Sequence, residues 1–393
     1  MPPKHPSTRL IHHPYQPPAG FEAVQPGVHK ASTVLFANVE ALRQRDWRHK
    51  AAYTYGLHGT PTTFTLEARL ASLEGGANTL LTPSGLSALA LVNLALLKSG
   101  DEVLIPDNAY APLKDMATQL LAHWGIGHRI YQPMDLASGP ACLGPRTRLL
   151  WLEAPGSVTL EFPDLPGWVL WARQHGITTA LDNTWGSGLA FSPFALGIDL
   201  SVQALTKYPS GGADVLMGSV TSVSPDLHEQ LTLTHMRLGL GVGANDAEAV
   251  LRGLPSLALR YRAQDESTRA VAQWWTRQSG VAQVLHPALP DSPGHRHWKA
   301  LCTQAAGLCS VRLDSSWSDA QVDCFLNHLQ CFRLGYSWAG PMSLVVPYRL
   351  EALRQPEAPV ASGTLLRFAL GLEHIDDLLH DLEQALQAAR GAP

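Results

Sequence analysis

Apolar positions recur along most of this chain in two rhythms. Phe64, Leu66, Leu70 and Leu73 follow helical spacing, behind Thr60-Pro61, an N-cap with proline in the first turn, and Gly75-Gly76 stops the run. Leu80-Leu81 then leads into a helical pattern over 84–98, and Glu102-Val103-Leu104-Ile105 reads as a strand. A helix over 113–124, a strand over 149–152, a helix over 168–175 and strands near 178–181, 200–204 and 215–220 follow. This alternation predicts an α/β fold with a mainly parallel sheet covered on both faces, whose ligands gather at the carboxyl ends of the strands. A long helical region over 246–278 leads into a last third with strands over 307–313 and 365–370 and helices over 319–329 and 375–389, the pattern of a smaller α+β domain. Residues 1–58 are rich in Pro, His and Gly with only short apolar runs, and read as an extended arm. The predicted organisation is therefore an arm over 1–58, an α/β domain over 59–253 and a C-terminal α+β domain over 254–393.

Composition narrows the function classes. At 393 residues the chain exceeds the ~250–300 that one core usually serves. Hydrophobic residues make up 45% and charged residues 16%, so the surface is poor in charge and suited to burial against other subunits. A net charge of −4 without a long basic run gives no footprint for nucleic acid or an anionic membrane. No apolar stretch reaches the ~18 residues of a membrane span, and the start Met1-Pro2-Pro3-Lys4-His5-Pro6 has no apolar core of a secretion signal, so a soluble cytoplasmic protein is expected. The five cysteines lack Cys-x-x-Cys spacing and read as reduced thiols. His12-His13 has no third ligand nearby, and no metal site is expected.

Three segments carry chemistry. One apolar strand delivers Asp182 at its end in Leu181-Asp182-Asn183-Thr184-Trp185, and the next delivers Thr206-Lys207-Tyr208. Upstream, Thr82-Pro83-Ser84-Gly85-Leu86-Ser87 precedes an apolar helix, so small residues can bring free backbone N–H groups and a helix N-terminus close to phosphate. Each fragment alone has an ordinary reading: a solvated loop lysine, an Asx turn, a helix cap. In this order they fit pyridoxal 5′-phosphate (PLP), with Lys207 forming an imine to the aldehyde and Asp182 keeping the pyridine nitrogen protonated.

The chain resembles the Cys/Met-metabolism PLP enzymes of fold type I. The resemblance rests on Tyr53-Thr54-Tyr55-Gly56-Leu57-His58-Gly59-Thr60-Pro61-Thr62, Leu73-Glu74-Gly75-Gly76, Asp107-Asn108-Ala109-Tyr110, the Asp182 and Lys207 segments and Ser362-Gly363-Thr364-Leu365-Leu366-Arg367. Within that family, Leu334-Gly335-Tyr336-Ser337-Trp338-Ala339-Gly340 and Glu153-Ala154-Pro155-Gly156-Ser157 look most like the bacterial branch that cleaves cystathionine at its β-carbon. The resemblance implies a cofactor site of Ser84, Gly85, Leu86, Tyr110, Asp182, Thr206 and Lys207, with Tyr110 stacked on the cofactor ring. It implies that Arg367 grips the substrate α-carboxylate, with Ser337, Trp338 and Asn183 beside it. It also implies that Tyr55 reaches the phosphate in a neighbouring subunit, within a homotetramer built as a dimer of dimers. Two departures stand out: Leu57 and His58 occupy the place where the family commonly has a phosphate-binding arginine, and Ala204 stands where many γ-cleaving relatives have serine.

The implied activity is α,β-elimination of L-cystathionine to homocysteine, pyruvate and ammonia. Other carbon–sulfur lyases or synthases of the family share the same lysine chemistry. These are cysteine-S-conjugate β-lyase, cysteine desulfhydrase, methionine or cystathionine γ-lyase and cystathionine γ-synthase. A PLP-binding regulatory protein without activity is the alternative from another class.

Overall fold

The computed structural model describes residues 5–13, 19–21, 23–47, 52–349 and 363–390. Residues Met1 to Lys4 and Ser362, used above, lie outside them. Seven strands form the large sheet: β1 (Asn78–Thr82), β2 (Glu102–Pro106), β3 (Gly127–Tyr131), β4 (Thr147–Glu153), β5 (Thr178–Asp182), β6 (Leu200–Ala204) and β7 (Gly218–Ser222). Their spatial order is β1-β7-β6-β5-β4-β2-β3, and only β7 runs against the others.

Central strands are apolar on both faces because both are covered by helices. In β4, Leu149 and Trp151 join one core cluster with Val92, Leu113 and Ala117 from helical segments, whereas Leu150 and Leu152 join the other with Leu66, Leu70 and Trp168. The helix Pro61–Glu74 begins and ends where the sequence predicts. Thr60 and Thr63 form a reciprocal capping box, Pro61 opens the first turn, and Gly75 closes the helix at φ +79°. Phe64 departs from the core face and stacks on Tyr53 at 5.3 Å. The helix predicted over 113–124 is a run of three turn types, α over Ala111–Asp115, π over Met116–Leu121 and 3₁₀ over Ala122–Trp124.

A smaller sheet of β8 (Val281–Leu285), β9 (Leu308–Leu313), β10 (Arg333–Leu334), β11 (Leu344–Arg349) and β12 (Thr364–Ala369) is ordered β10-β11-β12-β9-β8. Its own core is aromatic, with Trp275, Phe325, Phe332 and Phe368 in contact around it. A buried seam ties it to the large sheet: the Gly307 N–H donates to the Tyr208 hydroxyl at 2.7 Å, and Tyr208 packs on Tyr261 at 4.7 Å.

The extended-arm reading needs one correction. Pro6–Ile11 is a helix seated on its own chain, with Leu10 3% exposed and the Arg9 guanidinium donating to the Ser72 carbonyl at 3.0 Å. The described residues from 19 to 47 do lie largely exposed, Val24 and Leu35 at about 90%.

Candidate active site

The carboxyl ends of β4, β5 and β6, the start of the helix Gly85–Leu96 and the 336–338 loop of the smaller domain surround one cavity of about 540 Å³. Strand direction explains this convergence. Parallel strands that are central in the sheet all end on the same edge, so the loops that follow them gather there.

Lys207 projects into the cavity from the turn after β6, and its Nζ donates to Ser337 Oγ at 2.7 Å and lies 5.4 Å from the Trp338 ring. Burial, with a contribution from the nearby Arg367 cation, brings its ammonium down from an ordinary 10.5 to about 8, against the opposing pull of Asp182. Since only the neutral amine attacks an aldehyde, cofactor uptake by the apoprotein is expected to speed up as pH rises through about 8 and then level off. Stopped-flow absorbance at a series of pH values measures this. A rate still climbing steeply toward pH 10 would return Lys207 to an ordinary solvated amine.

Asp182 sits at the end of β5. Its Oδ1 accepts from the Thr184 N–H at 3.0 Å and the Thr184 hydroxyl at 2.6 Å, while Oδ2 has no hydrogen-bond partner among the described residues. Burial raises its pKa, and the two Thr184 bonds and Lys207 pull it back. Thr184 Oγ1 also accepts the Ala204 N–H at 2.9 Å, which fixes the carboxylate clamp to β6.

Arg367 on β12 is 7% exposed and has no carboxylate partner among the described residues. Its Nη2 donates to the Ser337 carbonyl at 3.5 Å, its guanidinium lies 5.4 Å from the Tyr348 ring, and its Nε is buried without a partner. A buried cation aimed into a cavity with spare donors is a receptor for an anion.

At the opposite wall, Ser84 caps the helix Gly85–Leu96, its Oγ accepting the Ser87 N–H at 3.0 Å. A methyl on Gly85 would stand 2.6 Å from the Ala204 Cβ, so glycine is what lets this helix start lie on β6. Leu86, Tyr110 and Thr206 line the same cavity. The Thr206 hydroxyl takes the Met217 N–H at 3.2 Å, which pins the lysine-bearing turn to the residue just before β7.

Asn183 is placed elsewhere, and Tyr55, expected at a neighbouring subunit's site, lies away from the cavity of its own chain. Asn183 is fully buried on the other side of the strand end and donates from Nδ2 to Glu74 Oε1 at 3.0 Å, because successive side chains of extended backbone point to opposite faces. The substrate role expected of Asn183 is therefore withdrawn. Tyr55 is 46% exposed, contacts His58 edge-on at 6.0 Å, and is absent from the cavity wall of its own chain. Burial lowers the pKa of the neighbouring His58, and its Nδ1 lies 2.8 Å from the Thr54 hydroxyl. The sequence reading assigned no role to Thr184, Tyr348 or Glu153, which all line the cavity. Of these, only Thr184 had a local signal, its Asp-x-Thr spacing to Asp182.

The sequence profile of the Cys/Met metabolism PLP-dependent enzymes matches residues 7–387. The chain belongs to that family. It is 36% identical over 368 residues to the cystathionine beta-lyase of Escherichia coli, covering 92% of this chain and 93% of that one. It is also 36% identical over 394 residues to the cystathionine beta-lyase of Bordetella avium, covering 98% of each. The crystal structure of cystathionine gamma synthase from Xanthomonas oryzae pv. oryzae in complex with cystathionine superposes with a TM-score of 0.89 at 30% identity, covering 99% of both chains. Membership makes the protein a PLP-dependent enzyme of carbon–sulfur chemistry, with the fold type I architecture.

The residues present suit that cofactor. A helix N-terminus brought close by Gly85 would suit a phosphate, the open Oδ2 of Asp182 would suit a protonated ring nitrogen, Tyr110 offers an aromatic face, and Lys207 offers an amine of lowered pKa. No helix among the described residues is long and apolar enough to cross a membrane.

Proposed function

We propose that this enzyme cleaves L-cystathionine by α,β-elimination, giving homocysteine, pyruvate and ammonia. The observation that carries the reading is Lys207, the single amine lining the cavity among the described residues, bonded to Ser337 in the loop whose carbonyl also meets Arg367. One base thus stands beside the group that orients the substrate. Bound here, PLP supplies an electron sink for the charge left at the substrate Cα.

The chain's own residues do the rest. Arg367 holds the α-carboxylate through its planar fork, which fixes the Cα–H bond relative to Lys207. Asp182 Oδ2 would hold the ring nitrogen of that cofactor in its protonated form. Lys207 Nζ takes the Cα proton and returns a proton to the departing sulfur. Ser337 and Trp338 keep that amine on the substrate side. Tyr55 is assigned to the phosphate of a neighbouring subunit, which accounts for its exposure here and for the uncovered arm, in a homotetramer made from two such dimers. In this reading the arm over 1–58, the PLP domain over 59–253 and the C-terminal domain over 254–393 are the working units, in the cytoplasm.

β-Elimination needs one proton from Cα, whereas γ-elimination needs a further one from Cβ. Ala204 beside the cradle, in place of the serine of many γ-cleaving relatives, and the two beta-lyase relatives both favour the former. Incubation with L-cystathionine is expected to yield pyruvate in step with homocysteine. Detection of 2-oxobutyrate and cysteine instead would move the enzyme to the γ-cleaving branch.

A further inference from the structure

Glu153 enters none of the steps above, yet it is built into the cavity wall. It ends β4 and stands opposite Asp182 in the pairing of β4 with β5, so two carboxyl groups open from adjacent strands onto the same space. Its Oε2 accepts the backbone N–H of Tyr110 at 2.8 Å, across 43 residues of sequence. Tyr110 begins the short helix Ala111–Asp115 and has no side-chain cap from its own segment. Its ring is 42% exposed, toward the cavity it lines, and among the described residues no hydrogen bond to its hydroxyl is present. The backbone bond from Glu153 is thus a tether that fixes where the ring stands.

We infer that Glu153 is a positioning residue of this active site, whose carboxyl sets the place of Tyr110 over the cofactor by holding its backbone N–H, while Asp182 alone meets the ring nitrogen. The inference rests on the assignment of Tyr110 to the cofactor face. The two carboxyls are neighbours on adjacent strands, and the charge of one disfavours the charge of the other. Burial raises the Glu153 pKa well above the carboxylate range, Asp182 and Glu161 add to this, and the Tyr110 N–H and Lys114 oppose it. Lys114 is itself engaged with the Asp107 carbonyl at 2.7 Å. Burial and the neighbouring Asp182 carboxylate thus favour the protonated form of Glu153, while the Thr184 bonds and Lys207 favour the charged form of Asp182.

Glutamine at position 153 keeps a carbonyl oxygen for the Tyr110 N–H and carries no charge; leucine keeps the volume and loses the acceptor. Both variants are read as holoenzyme by the visible circular dichroism of the bound cofactor, which reports the asymmetric placement of the ring above it, and by kcat and KM. Glu153→Gln is expected to keep the dichroism, the pH profile between about pH 6 and 9, and kcat within about threefold of wild type. Glu153→Leu is expected to lose most of the dichroism and to lower kcat by roughly tenfold or more with KM within about twofold, because Arg367 is untouched. If leucine prevents folding, Glu153→Ala takes its place with the same expectation.

Wild-type dichroism and kcat in the leucine or alanine variant, with only a lower melting temperature, would reduce Glu153 to a helix cap and overturn the inference. A glutamine variant as damaged as the leucine one would overturn it too, since charge rather than tethering would then be the active property. The dichroism does not depend on which thioether is cleaved. Failure of wild type to form pyruvate from cystathionine therefore sinks the substrate assignment and leaves this test standing.

Discussion

Lys207→Ala is expected to lower kcat by about 10⁴-fold or more, the largest loss available from one side chain here. No second amine lines the cavity among the described residues, so no other amine takes over the removal of the Cα proton. Lys207→Arg is expected to be equally inactive, since a guanidinium does not give up its proton near neutral pH and cannot act as the base. The fold is expected to survive. Below about pH 8 the native state holds this ammonium in a site that disfavours its charge, so removing it does not subtract a stabilising ion pair. The sign follows from linkage: with a native pKa below the unfolded one, the cost of Lys207 to the apoprotein is fully present below about 8 and fades as pH climbs toward 10.5. Borohydride treatment of the holoenzyme followed by peptide mapping is expected to fix the cofactor on the peptide containing Lys207, and to fix none in the alanine variant. Label on another lysine, or turnover retained in Lys207→Ala, would remove the basis of the site.

The second large effect is expected at Arg367. Substitution by alanine is expected to lower kcat/KM by about 10²–10³-fold, mostly through KM, because a buried receptor for the substrate carboxylate is lost. Lysine at this position is expected to recover little, since a point charge cannot offer the two parallel donors that orient the carboxylate. The apoprotein's melting temperature is expected to hold steady or rise. Arg367 is buried, burial lowers its pKa, and among the described residues it has no acid to compensate it. Steady-state kinetics and calorimetry on the same preparation check both halves. A fall in stability together with an unchanged KM would mark Arg367 as a structural cation instead.

Legibility in the sequence followed the physics of each element. The helix Pro61–Glu74 could be read because its cap, its proline and its closing glycine are all local. Strands β2, β4, β5 and β6 could be read because both of their faces are covered, which leaves unbroken apolar runs. Strand β3, Gly127–Tyr131, went unread because it is an edge strand paired only with β2 and half exposed, so its residues carry polar character. β11 went unread because Pro347 interrupts it; the structure tolerates that proline where two-residue β10 has already ended. β7 was placed about two residues early, since Val215 and Met217 are buried outside the strand that follows.

The sequence by itself determined the strand-end acid, the lysine after the next strand and the small-residue turn before a helix, because order along the chain and strand periodicity constrain which residues can reach one edge of a sheet. It could not assign Asn183 to the far face or give Glu153 a tie to Tyr110. Those outcomes depend on which side of a strand end a carboxyl or amide turns to, and on contacts across 43 to 130 residues that no local pattern encodes. Only tertiary packing decided them, since the cost of burying each polar group is met by partners that arrive from distant segments.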